Sequence, residues 1–192
     1  MADPKAKIIV VGPIKSGKTR LVNQIADFES EPNLESYVPT AGVRILEFDR
    51  EVSHATKRGG SRAVTLAVEL WDCSGDQQYE ACWPAILAGV VGVILVFNPE
   101  NPTHEREVAK WYSSFIAKLQ LSQAQILVLA HHIDSDGFKP ATAPKGLSAF
   151  KLADTSLDSE NSAREAKAVV NDFLTRVGSA AVHQHETELD AL

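Results

Sequence analysis

The chain has 192 residues with 44% hydrophobic and 23% charged content and a net charge of −6. That length supports one domain without disulfides or structural metals, and the composition excludes disordered and fibrous classes. The acidic balance excludes a generally basic nucleic-acid-binding protein. Two cysteines, Cys73 and Cys82, are too few for a disulfide framework and imply a reducing compartment. With no signal-peptide pattern and no apolar stretch near the roughly 18 residues of a membrane helix, the chain reads as intracellular and soluble.

Residues 6–11 read as a buried parallel strand. Directly after it comes Gly12-Pro13-Ile14-Lys15-Ser16-Gly17-Lys18-Thr19, a G-x-x-x-x-G-K-[ST] phosphate loop. Its backbone N–H groups at Gly12, Ile14, Lys15, Ser16 and Gly17 are expected to cradle phosphates, with Lys18 on the β and γ phosphates and the Thr19 hydroxyl on Mg²⁺. A helix over 18–28 follows, with Leu21, Val22 and Ile25 inward. Residues 29–42 lose periodicity and read as a loop. Strands at 43–48 and 63–70 then form a hairpin across the polar loop 56–61.

Trp83 reads as a core aromatic at the start of a helix, with a partner-facing anchor as the alternative. Residues 90–97 are an unbroken apolar run, as expected of a central strand covered on both faces. A helix over 102–119 sets Trp111, Phe115 and Leu119 on one side. Residues 126–130 form another buried strand and 150–152 a short edge strand. Between them Gly137, Pro140, Pro144 and Gly146 predict a loop where a helix would otherwise stand. The last helix is expected from about 162 to 177. Alternation of this kind predicts a single-domain α/β fold, a doubly wound, mostly parallel sheet with one antiparallel edge hairpin and ligands at the carboxyl ends of the strands.

After the second hairpin strand comes Asp72-Cys73-Ser74-Gly75, a D-x-x-G that supplies a carboxylate for a magnesium shell and a backbone N–H for a γ-phosphate. With the phosphate loop and Pro39-Thr40 between the two, the chain resembles the Ras superfamily of small GTPases, and Trp71-Asp72-x-x-Gly75 resembles its Rab and Arf branches. The resemblance covers residues 6 to about 177. Residues 1–178 would form a Ras-like GTP-binding domain and 179–192 a polar, disordered C-terminal tail. It implies a Ras-like fold binding GTP or GDP with Mg²⁺, Thr19, Thr40 and Asp72 as metal ligands, and switches around Thr40 and from Asp72 to Cys82. Thr40-Ala41-Gly42-Val43-Arg44-Ile45-Leu46-Glu47-Phe48, Cys82-Trp83-Pro84-Ala85 and Ala130-His131-His132 are most similar to the family of Rab-like GTPase subunits of intraflagellar transport complex B. That resemblance implies a role in cilium or flagellum assembly. It also implies coiled-coil core subunits of the complex as partners, a single copy within a hetero-complex, and residence in cytoplasm, cilium and basal region.

The chain departs from the superfamily in three places. Where Asn-Lys-x-Asp normally reads guanine, it has His131-His132-Ile133-Asp134. Asp134 can still accept from the guanine N1–H and amine, with Ser156 and Leu157 offering backbone N–H groups by resemblance to the superfamily's E-T-S-A segment. A zinc reading of the two histidines is poor, since adjacent strand residues point to opposite faces. The residue after Gly75 is Asp76 rather than the water-orienting Gln, leaving Asp76 and Gln77 as weak catalytic candidates, and Ile14 crowds the third loop position. Slow GTP hydrolysis is the expectation; a cycling GTPase that hydrolyses GTP with an activating partner is the alternative. An ATP-using P-loop kinase or ATPase is the third reading, against which Thr40 and the D-x-x-G speak. The C-terminal residues carry no cysteine for a prenyl anchor.

Overall fold

The computed structural model describes residues 4–28, 37–55, 59–133 and 137–190. Six strands form one sheet: β1 (Lys5–Val11), β2 (Val43–Ala55), β3 (Ser61–Cys73), β4 (Val90–Phe97), β5 (Ile126–His132) and β6 (Lys151–Ser156), in the order β2-β3-β1-β4-β5-β6. All neighbours are parallel except β2 and β3, the antiparallel edge hairpin. Side-chain alternation divides each central strand between two cores. Ile8, Val10, Ile94, Val96, Leu127 and Leu129 face helices α1 (Lys18–Ile25) and α4 (Glu160–Asp190). Ile9, Val11, Val93, Leu95 and Val128 face α2 (Trp83–Leu87) and α3 (Pro102–Ser114). Trp83 is buried and packs on Trp111 and Phe115, with ring centroids 5.4 and 4.8 Å away.

Boundaries shift where local chemistry outweighs periodicity. Helix α1 stops at Ile25 because Asp27 takes a left-handed φ of 51°, and Phe28 N–H returns to the Asn23 carbonyl. Helix α3 ends at Ser114 and yields to a 3-10 turn over Ile116–Lys118. Ser113 Oγ donates back to the Lys110 carbonyl near that end, competing with the helical ladder. The hairpin strands run past their expected ends because Val52 and Leu66 are covered by α4. Strand β6 likewise extends to Ser156, in register with His132. The described residues 137–150 contain no helix, as the proline and glycine spacing predicts. Helix α4 starts where Ser159 Oγ accepts from Ser162 N–H, and it continues past Val177 to Asp190, with Ala181 and Val182 buried. Among the described residues no helix is long and apolar enough to cross a membrane.

Candidate nucleotide site

β1 ends at Val11, and the chain turns through the phosphate loop into α1, so the loop's N–H groups and the positive end of the helix dipole face one concavity. Gly17 caps α1 at a φ of 85°, and a Cβ there would lie 2.3 Å from the His131 ring. Both its conformation and its neighbour therefore require glycine. Lys18 is buried, and its Nζ donates to the carbonyls of Gly12 (2.9 Å) and Pro13 (2.7 Å), with Ser16 Oγ at 3.4 Å. Burial pulls its pKa down to about 8, against the pull of Asp72. An anionic phosphate at the loop would restore the full ammonium charge.

The three expected metal ligands meet. Thr19 Oγ1 donates to Asp72 Oδ2 at 2.8 Å and lies 2.8 Å from Thr40 Oγ1, which is itself 3.4 Å from Asp72 Oδ2. Asp72 is fully buried and its Oδ1 has no hydrogen-bond partner. Burial pushes this carboxyl above its ordinary range, while Thr19, Arg44 and Lys18 draw it down. One orphaned carboxylate oxygen among hydroxyls is a hard, oxygen-only donor set, which fits Mg²⁺ completed by phosphates and water. Among the described residues no three His, Cys, Asp or Glu side chains cluster as a metal site, so a soft-metal alternative has no ligands.

Gly75 lies against the phosphate loop so closely that a Cβ would be 2.5 Å from Ile14 N and 2.6 Å from the Pro13 carbonyl carbon. Switch II is thereby seated on the loop. Beside the contact opens a cleft of about 470 Å³ lined by Ile14, Asp76, Gln77, His104 and Glu107 among others. Both catalytic candidates are held by contacts within switch II and with α3. The Asp76 carboxylate caps the 3-10 turn Gln77–Cys82, accepting from Gln78 N–H at 2.9 Å and Gln78 Nε2 at 2.8 Å. Gln77 Oε1 accepts from Lys110 Nζ of α3 at 2.8 Å. Ile14 is 40% exposed at the cleft.

Of the residues expected to read guanine, Asp134 lies outside the described residues. Ser156 ends β6 beside His132 and Leu157 follows it; Ser156 Oγ bonds Asp158 at 2.6 Å and Arg20 Nη2 of α1 donates to the Leu157 carbonyl at 3.1 Å. The two histidines have different partners. His131 Nδ1 lies 3.1 Å from Thr155 Oγ1, and burial, aided by Arg20, pulls its pKa down to about 4. His132 Nε2 lies 2.9 Å from Asp154 Oδ1, its Nδ1 contacts Glu100, and its ring stacks on Phe138. Asp154 also accepts from Ala141 N–H at 2.8 Å, so His132 ties the loop after β5 to β6.

Sequence reasoning passed over two residues. Arg44 faces Asp72 across the hairpin, 3.6 Å from its Oδ2, and donates to Asn23 at 2.5 Å; pairing the hairpin in register would have found it. His104 reaches the Ile14 carbonyl from α3, 90 positions away, and only the tertiary structure brings them together.

A family model described as "Ras of Complex, Roc, domain of DAPkinase" matches residues 7–134. The zebrafish (Danio rerio) protein named Intraflagellar transport protein 22 homolog is 38% identical over 187 residues, covering 96% of each chain. This chain belongs to the intraflagellar transport protein 22 family of Ras-like GTPase domains. Two solved members of the family from T. brucei share the fold. The GTP-bound IFT22/74/81 structure matches 92% of this chain and 99% of its own at 31% identity and a TM-score of 0.65. The GDP-bound IFT22 structure matches 90% and 97% at 30% identity and a TM-score of 0.61.

Proposed function

We propose that the chain is a GTP-binding, Rab-like subunit of intraflagellar transport complex B that acts in cilium and flagellum assembly through protein contacts, with slow or absent GTP hydrolysis. The observation that carries this reading is the meeting of Thr40 with Thr19 and Asp72. A switch I threonine that joins the cation ligands couples a γ-phosphate to the shape of the neighbouring surface. Mg²⁺ neutralises charge on the β and γ phosphates when bound; Thr19, Thr40 and Asp72 are its ligands. Lys18 and the loop N–H groups from Gly12 to Gly17 hold the phosphates, the Gly75 N–H meets the γ-phosphate, and Asp134, with Ser156 and Leu157, reads guanine.

Both catalytic candidates are engaged in structural contacts, and Ile14 stands in the cleft a water-positioning group would use. An intact Ras-like site turns over at roughly 4 × 10⁻⁴ per second, a lifetime of about 40 minutes, so losing a further factor of about ten would make GTP persist here for hours. The relatives that bind GTP, GDP and IFT74/81 support guanine nucleotides as ligands and the corresponding coiled-coil core subunits as partners. Within that hetero-complex the chain is a single copy, found in the cytoplasm, at the ciliary base and in the cilium.

Calorimetry with GTP, GDP and ATP tests the nucleotide, and equal affinity for ATP would defeat it. Single-turnover hydrolysis with and without the coiled-coil pair tests the slow-adaptor reading. One observation favours the cycling alternative: the Lys110–Gln77 bond is solvent-exposed, so a partner can break it and release Gln77. A partner-stimulated rate at or above that of an ordinary small GTPase would establish that alternative.

A further inference from the structure

His104, on the first turn of α3, is a buried side chain that the nucleotide chemistry described above does not use. Its Nδ1 accepts from the Asn98 N–H at 3.1 Å. An accepting Nδ1 carries no proton, so the ring is the neutral Nε2–H tautomer, and that Nε2 donates to the Ile14 carbonyl at 3.1 Å. One ring thus ties the chain just after β4 to the middle of the phosphate loop.

The position of that bond matters more than its strength. The described residues contain no cis peptide, so the carbonyl of Ile14 and the N–H of Lys15 point in opposite directions from one planar unit. Drawing the carbonyl outward to α3 aims the Lys15 N–H inward, into the loop's concavity. Lys15 also holds a φ of 61°, a left-handed conformation that a side chain other than glycine occupies only under restraint. We propose that His104 is the positioning residue that holds the Ile14–Lys15 peptide in its phosphate-accepting orientation, making the grip on a nucleoside diphosphate dependent on a neutral imidazole in α3. The proposal rests on the nucleotide reading above and deepens it.

The choice of histidine adds a pH dependence. Protonation would set an Nδ1–H against the Asn98 N–H, turning a bond into a repulsion. Burial lowers the pKa of His104 below the ordinary imidazole value of 6.5; Lys18 of α1 acts in the same direction, while Glu107 of α3 and the Ile14 carbonyl oppose it. The anchor is therefore complete at neutral pH and is lost as pH falls through that lowered value.

The test is the dissociation rate of fluorescent N-methylanthraniloyl-GDP from the full chain with Mg²⁺ present. At pH 7.5, His104→Ala should release it about tenfold faster or more, as expected when a buried carbonyl loses its donor. His104→Gln, whose amide keeps one donor and one acceptor, should recover most of the loss. As pH falls below 6.5, down to just above the titration of His131 at about 4, the wild type should accelerate while His104→Gln stays level. An unchanged rate in a folded His104→Ala, a His104→Gln as fast as the alanine variant, or parallel pH profiles would each overturn the proposal. Should circular dichroism find the alanine variant unfolded, the pH profiles of wild type and His104→Gln decide. A folded wild type that holds no labelled GDP would instead bring down the nucleotide reading, and the role of His104 with it.

Discussion

At the phosphate end of the candidate site, the groups that would meet a nucleotide come from one continuous loop, Gly12 to Thr19, with Asp72 and Thr40 closing on Thr19. At the base end, the polar groups are side chains gathered from separate segments: His131 and His132 of β5, Asp154 and Thr155 of β6, and Glu100 between β4 and α3. The first end is a backbone device and tolerates little substitution. The second is a side-chain network, in which the chain replaces an Asn-Lys pair by His-His and meets His131 Nδ1 with Thr155 and the two ring nitrogens of His132 with Glu100 and Asp154. The difference teaches that the two ends answer to different constraints, and each prediction below sets one against the other.

The largest effect should come from Lys18→Ala. Two charge-assisted bonds of about 2 kcal/mol each would be lost, and calorimetry should find GTP affinity reduced about a thousandfold. Unchanged affinity would mean that the loop binds by backbone alone. Next comes acid sensitivity at the base end. His131 has a folded pKa of about 4 against an ordinary 6.5, so the unfolded chain takes up a proton first as pH falls. Its stabilising contribution is complete above 6.5 and is lost as pH drops toward 4, by on the order of 3 kcal/mol. Urea midpoints at pH 7 and 4.5 measure this, and His131→Asn should flatten the slope; an equal slope in both proteins refutes it.

A smaller effect is expected from His132→Ala, which leaves Asp154 and Glu100 without their ring partner. GTP and GDP affinities should fall together by roughly tenfold, about 1.4 kcal/mol, because the base rather than the γ-phosphate is affected. If calorimetry finds GTP weakened and GDP unaltered, the base-end network reaches the phosphates and the division drawn above fails. The smallest effect should be that of Asp76→Gln. Restoring the superfamily's amide removes the cap of the 3-10 turn, at a cost of about 1 kcal/mol, and leaves Ile14 in the cleft. Single-turnover hydrolysis should rise by less than about tenfold. A jump of several hundredfold would show that the amide alone was missing.

Much of the phosphate end was legible in the sequence because its signals are local. Eight consecutive residues announce a loop whose function depends on backbone shape, and the apolar run Val90 to Phe97 is a central strand, as its composition predicts. The D-x-x-G motif also reads directly, since Asp72 sits where β3 ends. The base end was less legible. Nothing within Ala130-His131-His132 says that one ring turns to Thr155 and the other to Asp154, since those partners arrive through the pairing of β5 with β6. Arg44 was hidden by register and His104 by distance along the chain. Asp76 was read from its motif position as a catalytic candidate; that its carboxylate also caps a turn is visible only in the structure.

Helix α4, at 31 residues, is about 46 Å long at 1.5 Å per residue, whereas six strands at about 4.8 Å spacing span only about 24 Å. It packs on β6, β4, β1 and β2, so it lies across the sheet like a strut bolted to both edges. The fastening at the hairpin is tight: Gly178 sits so close to Val52 and Leu66 that a Cβ there would come within 3.0 Å of both. A two-residue slide of the hairpin along β1 would drag those side chains off that seat. The strut therefore stiffens the switch-bearing edge of the sheet from behind. The chain leaves the hairpin's open end before Val43 and after Cys73, so Thr40 and Gly75 flank an edge that α4 holds from behind.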